Sequence, residues 1–209
     1  QILTEALEAG KHVYIEKPMT RTVLEARGVA DLAKEAGRVV RVGFNRRFSP
    51  DMGYLRAATG ATENGPIQFL VRCNTGSLKG DWSNTEHEGG RLLGECTHFF
   101  DLANWFMGAK LERLSASIVG EDLITNPNAV ITIDYSGGKT ALILYSALGN
   151  KAMGKEYFEV FGQGVSGYCK DFQKTKVFGG DRWLNADGTK PGKGDKGQLA
   201  ALGEFAARI

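Results

Sequence analysis

The chain of 209 residues carries 26 lysines and arginines against 24 aspartates and glutamates, without a long run of like charge. This balance argues against nucleic acid or an anionic membrane as a partner and favours small molecules. Hydrophobic residues make up 42% of the sequence, enough for a sizeable core in one or two domains, and no apolar run approaches the roughly 18 residues that span a bilayer. We therefore expect a cytoplasmic protein.

The beginning of the chain predicts a βαβ unit. Two helical patterns, which end at Gly10 and Gly37, alternate with two apolar runs of strand length at residues 12–16 and 39–44. The second helix opens on a capping-box pattern, in which Thr22 is followed three residues later by a glutamate. Strand, helix and strand within about thirty residues predict two parallel strands joined by a right-handed crossover.

Charged residues follow both of these strands. The first strand is followed by Glu16-Lys17-Pro18 and the second by Asn45-Arg46-Arg47. Because ligands of open parallel sheets bind outside the carboxyl ends of the strands, both stretches are expected to face one crevice. The proline restricts the backbone of Lys17 to extended geometry, so the lysine is expected to be held in place.

From about Ser49 the pattern predicts a different kind of unit. One helix extends to about Thr62, a second runs from Leu93 to Met107, and a third occupies residues 197–209. The strand candidates are residues 67–74, 112–119, 129–136, 139–147, 156–162 and the run around 174–178. The expected fold class is therefore α/β + α+β: the C-terminal part of a Rossmann-like parallel sheet, followed by a mostly antiparallel, open-faced sheet with helices on one side.

Residues 162–167 match the pattern G-x-G-x-x-G and follow a predicted strand. A dinucleotide fingerprint needs a helix after its last glycine, whereas strand-like residues follow Gly167. We therefore predict a hairpin turn with glycine at positive φ. A true fingerprint is expected upstream of Gln1, which makes the chain a fragment, cut at both ends, that lacks roughly 60 to 90 residues of its parallel domain.

Three polar residues recur on the helix that begins near Leu93. Glu95, His98 and Asp101 are spaced by three and fall on neighbouring turns of one face. Two other interpretations stay open, a solvated acid-rich stripe and a half-buried histidine bonded within its own helix. A Glu-x-x-His pair is also half of a carboxylate di-iron site, but the sequence offers no second copy.

No metal site is predicted. Cys73, Cys96 and Cys169 are widely spaced and form no CxxC pair, which indicates buried or idle thiols. Glu86-His87-Glu88 stands beside two glycines, as expected of a loop that leads into the helix.

Three stretches together resemble the Gfo/Idh/MocA oxidoreductases, relatives of glucose-fructose oxidoreductase and inositol dehydrogenase. They are Glu16-Lys17-Pro18, GFNRRFSP at residues 43–50 and GGRLLGECTHFFDLANWFMG at residues 89–108. The resemblance implies that residues 1–48 are the C-terminal remainder of the dinucleotide-binding domain and residues 49–209 a substrate-binding and oligomerisation domain. The third stretch is most similar to the family branch fused behind a zinc-type alcohol dehydrogenase domain, which implies a module of a longer protein.

The resemblance also implies the roles of individual residues. The implied catalytic residues are Lys17 and His98. The implied substrate-binding residues are Asp101, Glu95, Asn45, Arg46 and Arg47, and the implied cofactor-binding residues are Glu16, Lys17, Pro18 and Arg46. One departure is Gly94, which stands where the family usually has aspartate, four residues before the histidine. Successive helical residues turn by about 100°, so the sequence leaves open whether Glu95 replaces that acid.

The implied reaction transfers a hydride between NAD or NADP and a hydroxyl-bearing carbon of a sugar, polyol or nucleotide-sugar. Lys17 is the predicted proton carrier, because burial and nearby positive charge can bring a lysine pKa toward neutrality, and His98 is its partner. The opposite assignment stays open. The fragment alone is expected to be inactive. The alternative is a non-catalytic scaffold or dimerisation domain, which Gly94 and Cys96 favour.

Self-association through the sheet face is expected. Residues 131–135 and 141–145 each place several large apolar side chains on one side of a predicted strand. The expected partners are therefore a sugar-like small molecule and further copies of the same chain.

Overall fold

The structure is a computed structural model that describes residues 2–61, 65–77, 89–120, 128–179 and 194–209. In these ranges the α-helices are α1 Ile2–Glu8, α2 Val23–Glu35, α3 Pro50–Ala58, α4 Thr97–Met107 and α5 Gln198–Ala206. The strands are β1 Val13–Ile15, β2 Val40–Val42, β3 Ile67–Asn74, β4 Leu111–Val119, β5 Asn128–Tyr135, β6 Lys139–Ser146, β7 Glu156–Gly162, β8 Val165–Lys170 and β9 Lys174–Phe178. None of these helices is long and apolar enough to cross a membrane.

The first unit contains α1, β1, α2 and β2, and it confirms the predicted βαβ unit. The two strands pair in parallel, with Val13 opposite Val40. The capping box that opens α2 is present, since Thr22 Oγ1 accepts a hydrogen bond from the backbone of Glu25 at 3.2 Å. A small core centred on Leu7 holds the two helices against the strands. The carboxyl ends of both strands therefore meet at one edge of this sheet.

The larger sheet has seven strands in the order β4-β5-β6-β3-β7-β8-β9. All neighbouring pairs are antiparallel except β3 and β6, which are parallel. The mostly antiparallel sheet predicted from the sequence is thus confirmed. The parallel pairing of β3 with β6 was not predicted. Helices α3 and α4 contribute to the core of this sheet through fully buried side chains such as Met52 and Phe106.

Aromatic packing fixes α4 against the sheet. The Phe106 ring stacks on Phe69 of β3 with centroids 4.3 Å apart. Buried Lys139, at the start of β6, donates hydrogen bonds of 2.9 Å to the carbonyl oxygens of Ala61 and Met107. The two carbonyl oxygens supply the hydrogen bonds that a buried ammonium needs. The ring stacking and these hydrogen bonds together hold the C-terminal end of α4 against the sheet.

The apolar sides of residues 131–135 and 141–145 face the core. Ile131, Ile133 and Ile143 belong to the same buried cluster as the residues of α4. The opposite side of these two strands carries both polar and apolar side chains, all half-buried, such as Thr132 paired with Leu142. The large apolar residues that predicted a self-association surface thus have an intramolecular role.

The backbone conformation tests two local predictions, the hairpin at residues 162–167 and the helix from Leu93 to Met107. The G-x-G-x-x-G stretch forms the β7–β8 hairpin, whose turn residues Gln163 and Gly164 both have positive φ, at 54° and 74°. This confirms the predicted hairpin and gives these glycines a structural role. The helix predicted from Leu93 to Met107 is divided, because a π-helical turn at Leu92–Cys96 precedes α4.

Replacement of Phe106 by alanine is expected to reduce the free energy of unfolding by about 3–5 kcal/mol, since it removes a stacked ring from a fully buried site. Chemical denaturation followed by far-UV circular dichroism measures this loss. Leu199→Ala, at a side chain of α5 that is 82% exposed, is the control and should cost less than about 1 kcal/mol. Equal losses in the two variants would contradict the assigned core.

Candidate active site

The charged stretches after β1 and β2 lie against the helical segment of the second unit. Lys17 Nζ donates a hydrogen bond of 2.5 Å to the carbonyl oxygen of Gly94, in the π-helical turn. Arg47 binds Asp101 of α4 with both ends of its guanidinium, with Nε 2.8 Å from Oδ2. The side chains predicted to share a crevice are therefore brought together.

Proline follows Lys17 at the carboxyl end of β1, and the Lys17–Pro18 peptide bond is cis. The lysine is half-buried while Glu16 before it is exposed. Burial lowers the pKa of Lys17, and the nearby positive charges of Arg46 and Lys155 lower it further, against the opposing effect of carboxylates nearby. The amine therefore lies in an environment that favours its neutral form more than water does.

His98 occupies the first turn of α4 and is 6% exposed. Its Nδ1 is buried, and within the described residues it has no hydrogen-bond partner. Burial, together with the positive charges of Arg46 and Lys17, lowers the pKa of His98 to about 2. The imidazole is therefore neutral at physiological pH, with one buried ring nitrogen open to a ligand.

Arg46 is buried and forms a bidentate ion pair with Glu156, the first residue of β7. Its Nε and Nη2 lie 2.7 Å and 2.8 Å from the two carboxylate oxygens. Lys196 Nζ reaches the same carboxylate at 2.9 Å. Burial would raise the pKa of Glu156, but the hydrogen bonds and charges of these two cations outweigh it and hold the pKa at about 2. Arg46 thus contributes its charge to the site while its donors are engaged within the protein.

Glu95 is also engaged within the protein. Its Oε2 accepts from Arg91 Nη2 at 2.6 Å, and its Oε1 binds Lys155 Nζ. Lys17 Nζ donates instead to the backbone carbonyl oxygen of Gly94, a residue at which an added Cβ would meet no atom within 4 Å. Asn45 donates to the carbonyl oxygen of Lys196 at 2.8 Å, so this amide fixes the segment before α5.

Four site residues were missed from the sequence: Arg91, Lys155, Glu156 and Lys196. Glu156 had a signal, because it alternates with Phe158 and Val160 and so faces the core in a strand register that is otherwise apolar. The others stand in segments without periodicity.

The described residues contain no group of three or more histidine, cysteine, aspartate or glutamate side chains that could hold a metal ion. The three cysteines are free and buried, as predicted, and burial raises the pKa of Cys96 and of Cys169 to about 12. Glu86-His87-Glu88 lies outside the described residues.

The sequence is similar to a family of oxidoreductases and to individual oxidoreductases of known sequence. Residues 1–44 match the Gfo/Idh/MocA family model, described as an oxidoreductase family with an NAD-binding Rossmann fold. The uncharacterized oxidoreductase YrbE of Bacillus subtilis is 29% identical over 203 residues, which cover 91% of this chain and 52% of YrbE. The scyllo-inositol 2-dehydrogenase (NAD(+)) of the same organism is 29% identical over 116 residues, or 54% of this chain and 33% of that protein. The chain therefore spans about half the length of YrbE.

Solved structures share the fold along the whole chain. A dehydrogenase from Chromobacterium violaceum superposes with a TM-score of 0.76 at 21% identity, covering 100% of this chain and 64% of its own. GenD2 from gentamicin A biosynthesis, in complex with NAD, has a TM-score of 0.74 at 20% identity, with coverages of 100% and 64%. The chain is thus similar to the Gfo/Idh/MocA oxidoreductases: residues 1–44 match the family model, an oxidoreductase of Bacillus subtilis aligns along 91% of the chain, and solved dehydrogenases share its fold.

Proposed function

We propose that this protein is a nicotinamide-dependent oxidoreductase that moves a hydride between NAD or NADP and a hydroxyl-bearing carbon of a sugar, polyol or nucleotide-sugar. The observation that carries the proposal is a lysine amine with a lowered pKa, held at the end of a parallel strand beside a buried, neutral histidine. The similarity to a scyllo-inositol 2-dehydrogenase that uses NAD(+) supports a polyol-like substrate.

The residues of this chain fit the nicotinamide end of such a cofactor. The Lys17 amine lies at the carboxyl edge of the β1–β2 sheet, and the unpartnered Nδ1 of His98 is a buried polar atom that a ligand can satisfy. The glycine motif at residues 162–167 forms a hairpin in the other sheet, so we assign it no contact with the phosphates. When bound, the nicotinamide supplies the hydride acceptor or donor. Residues 1–48 would then be the cofactor side of the site and residues 49–209 the substrate side.

Lys17 is the proton carrier in this proposal. In the oxidation direction its neutral amine takes the proton of the substrate hydroxyl, and in reduction its ammonium returns that proton. The carbonyl of Gly94 accepts one N–H and so orients the nitrogen. His98, with a pKa of about 2, is a poor proton acceptor, so its part is to hydrogen-bond and orient the substrate hydroxyl. The Arg47–Asp101 pair attaches the segment after β2 to the second turn of α4.

Lys17→Ala in the enzyme with its complete cofactor domain is expected to lower kcat by about 10²- to 10⁴-fold with a much smaller change in KM, as for loss of an acid–base group. Lys17→Arg should restore little, because a guanidinium does not release a proton near neutral pH. Steady-state kinetics measure both. Lys11→Ala, an exposed lysine before β1, is the matched control. Unchanged turnover in Lys17→Ala would contradict Lys17 as the proton carrier, whereas a wild-type protein that binds NADH but shows no turnover would favour the non-catalytic scaffold.

Gly94→Asp is expected to shift the acidic limb of the pH–rate profile for oxidation upward by about one pH unit, because a carboxylate near Lys17 stabilises the ammonium. The position is open to a side chain. The rate rises with pH as Lys17 loses its proton, so a higher pKa moves this rise to higher pH. Gly28→Asp adds the same charge on α2, where an added Cβ also meets open space, and should leave the limb in place. An unmoved limb in Gly94→Asp would contradict Lys17 as the titrating group.

We also propose that the outer face of the large sheet is covered by a second copy. This face places Leu142 beside Leu70 on the parallel β6–β3 pair, and Tyr168 stacks near Tyr157 at 5.9 Å and Phe178 at 6.2 Å. The leucines and tyrosines of this face are separated by Glu159, which pairs with both Leu70 and Tyr168, so the proposed contact is a mixed apolar and charged surface.

Leu142→Glu is expected to convert a dimer into a monomer, since it places a charge within the proposed contact. Sedimentation velocity over a range of protein concentrations measures the change. Leu199→Glu, on a side chain of α5 that is 82% exposed, is the control and should keep the dimer. A wild-type protein that sediments as a monomer at every concentration would exclude this interface.

A further inference from the structure

The Nδ1 atom of His98 lacks the hydrogen bond that commonly orients a histidine ring. This nitrogen is buried, and it has no hydrogen-bond partner in the part of the chain that the structure describes. In many sites a hydrogen bond to one ring nitrogen sets the direction in which the other nitrogen points. Without such a bond at Nδ1, the side chains that pack against the imidazole have to keep this nitrogen in place.

Phe44 makes a packing contact of this kind from the other unit of the protein. The ring centroids of Phe44 and His98 lie 6.1 Å apart, and the two ring planes are inclined at 76°, an edge-to-face arrangement. Such pairs contribute about 0.5–1.5 kcal/mol beyond the area that they bury. Phe44 follows β2, whereas His98 lies on α4, so the contact is made at the carboxyl edge of the β1–β2 sheet.

The backbone on both sides of Phe44 is held by hydrogen bonds. The Phe44 N–H donates to the carbonyl oxygen of Val42 at 2.7 Å, and the Asn45 N–H donates to that of Gly43 at 3.0 Å. Each of these bonds closes a three-residue turn, a feature common at strand ends. The Asn45 side chain in turn donates to the carbonyl oxygen of Lys196. The Phe44 ring therefore projects from a fixed backbone, as a group that positions another side chain needs to do.

Resting on the proposed function, we propose that Phe44 is a positioning residue, whose ring holds the His98 imidazole in the orientation in which Nδ1 meets the substrate hydroxyl. Phe44 itself makes no bond to the substrate and acts through His98. Its half-buried ring also covers part of the imidazole against water. Burial is the largest cause of the lowered pKa of His98, so the same packing helps to keep the ring neutral.

The first test is independent of hydride transfer. Long-range ¹H–¹⁵N spectra of the chain labelled with ¹⁵N-histidine report both ring nitrogens of His98, and His98→Gln assigns their signals. In the wild type at neutral pH we expect two well-separated signals, as for a fixed, neutral ring. In Phe44→Ala the signals should move toward each other, because a loosened ring in contact with water exchanges its proton between the two nitrogens. Phe44→Tyr keeps the ring and should keep the wild-type spectrum.

The second test is kinetic and uses the enzyme with its complete cofactor domain. Phe44→Ala should lower kcat about 10- to 100-fold with a smaller change in KM, as for a misplaced group at a reaction centre. Phe44→Leu, which keeps apolar bulk without a flat ring, should show a smaller loss. Phe44→Tyr should retain kcat within about threefold, since its ring can make the same contact.

Trp105→Leu is the matched control. Half-buried Trp105 forms a similar edge-to-face pair with Phe106 in the last turns of α4, with centroids 6.2 Å apart and planes at 77°. This variant should leave the His98 signals and kcat unchanged. The proposal is overturned if Phe44→Ala leaves the His98 signals as in the wild type, or if Trp105→Leu moves them equally. Altered signals with an unchanged kcat would support the contact but overturn the part proposed for His98 in the reaction.

Discussion

The buried ion pair between Arg46 and Glu156 connects the two sheets, and the geometry of the site depends on it. Arg46 follows β2 of the parallel sheet, and Glu156 begins β7 of the large sheet. Removing one partner of such a pair leaves an uncompensated buried charge, at a cost of about 3–5 kcal/mol. Lys196 completes the cluster from the segment before α5, and Ser49 Oγ secures that segment through the carbonyl oxygen of Asp195 at 2.8 Å.

The same cations set the chemistry of the site. The charge of Arg46 lowers the pKa of both Lys17 and His98, so the interaction that joins the units also favours the neutral forms of the two proposed reacting groups. Burial is the larger cause in both residues. A lysine and a histidine whose pKa values are both lowered make an uncommon pair, in which an amine that loses its proton more readily than usual lies near a neutral hydrogen-bonding ring.

Local patterns predicted much of the fold. The capping box at Thr22, the βαβ unit and the β7–β8 hairpin each depend on a few neighbouring residues, and each is present. The parallel β3–β6 pairing was not predicted, because strand partners far apart in sequence are chosen by the packing of the whole sheet and not by local periodicity.

The candidate site residues stay predictions, and the sequence did not reveal all of the partners that the structure gives them. A spacing of three between Glu95 and His98 assumes α-helical geometry, whereas Glu95 lies in a π-helical turn with a different number of residues per turn. Its carboxylate is held by Arg91 and Lys155. The sequence could not reveal that Lys17 binds a backbone carbonyl, because every residue has one. The division into residues 1–48 and 49–209, based on the change of pattern near Ser49, stays a prediction.

The central claim is that the fold holds Lys17 where its amine loses its proton more readily than an ordinary lysine. Its direct measurement is the pH titration of the lysine side chains by NMR, with ¹³C-labelled lysine and with Lys17→Arg to assign the resonance. The account predicts that the Lys17 resonance titrates well below the other lysines, whose ordinary pKa is about 10.4. A Lys17 resonance that titrates together with the exposed lysines would contradict it.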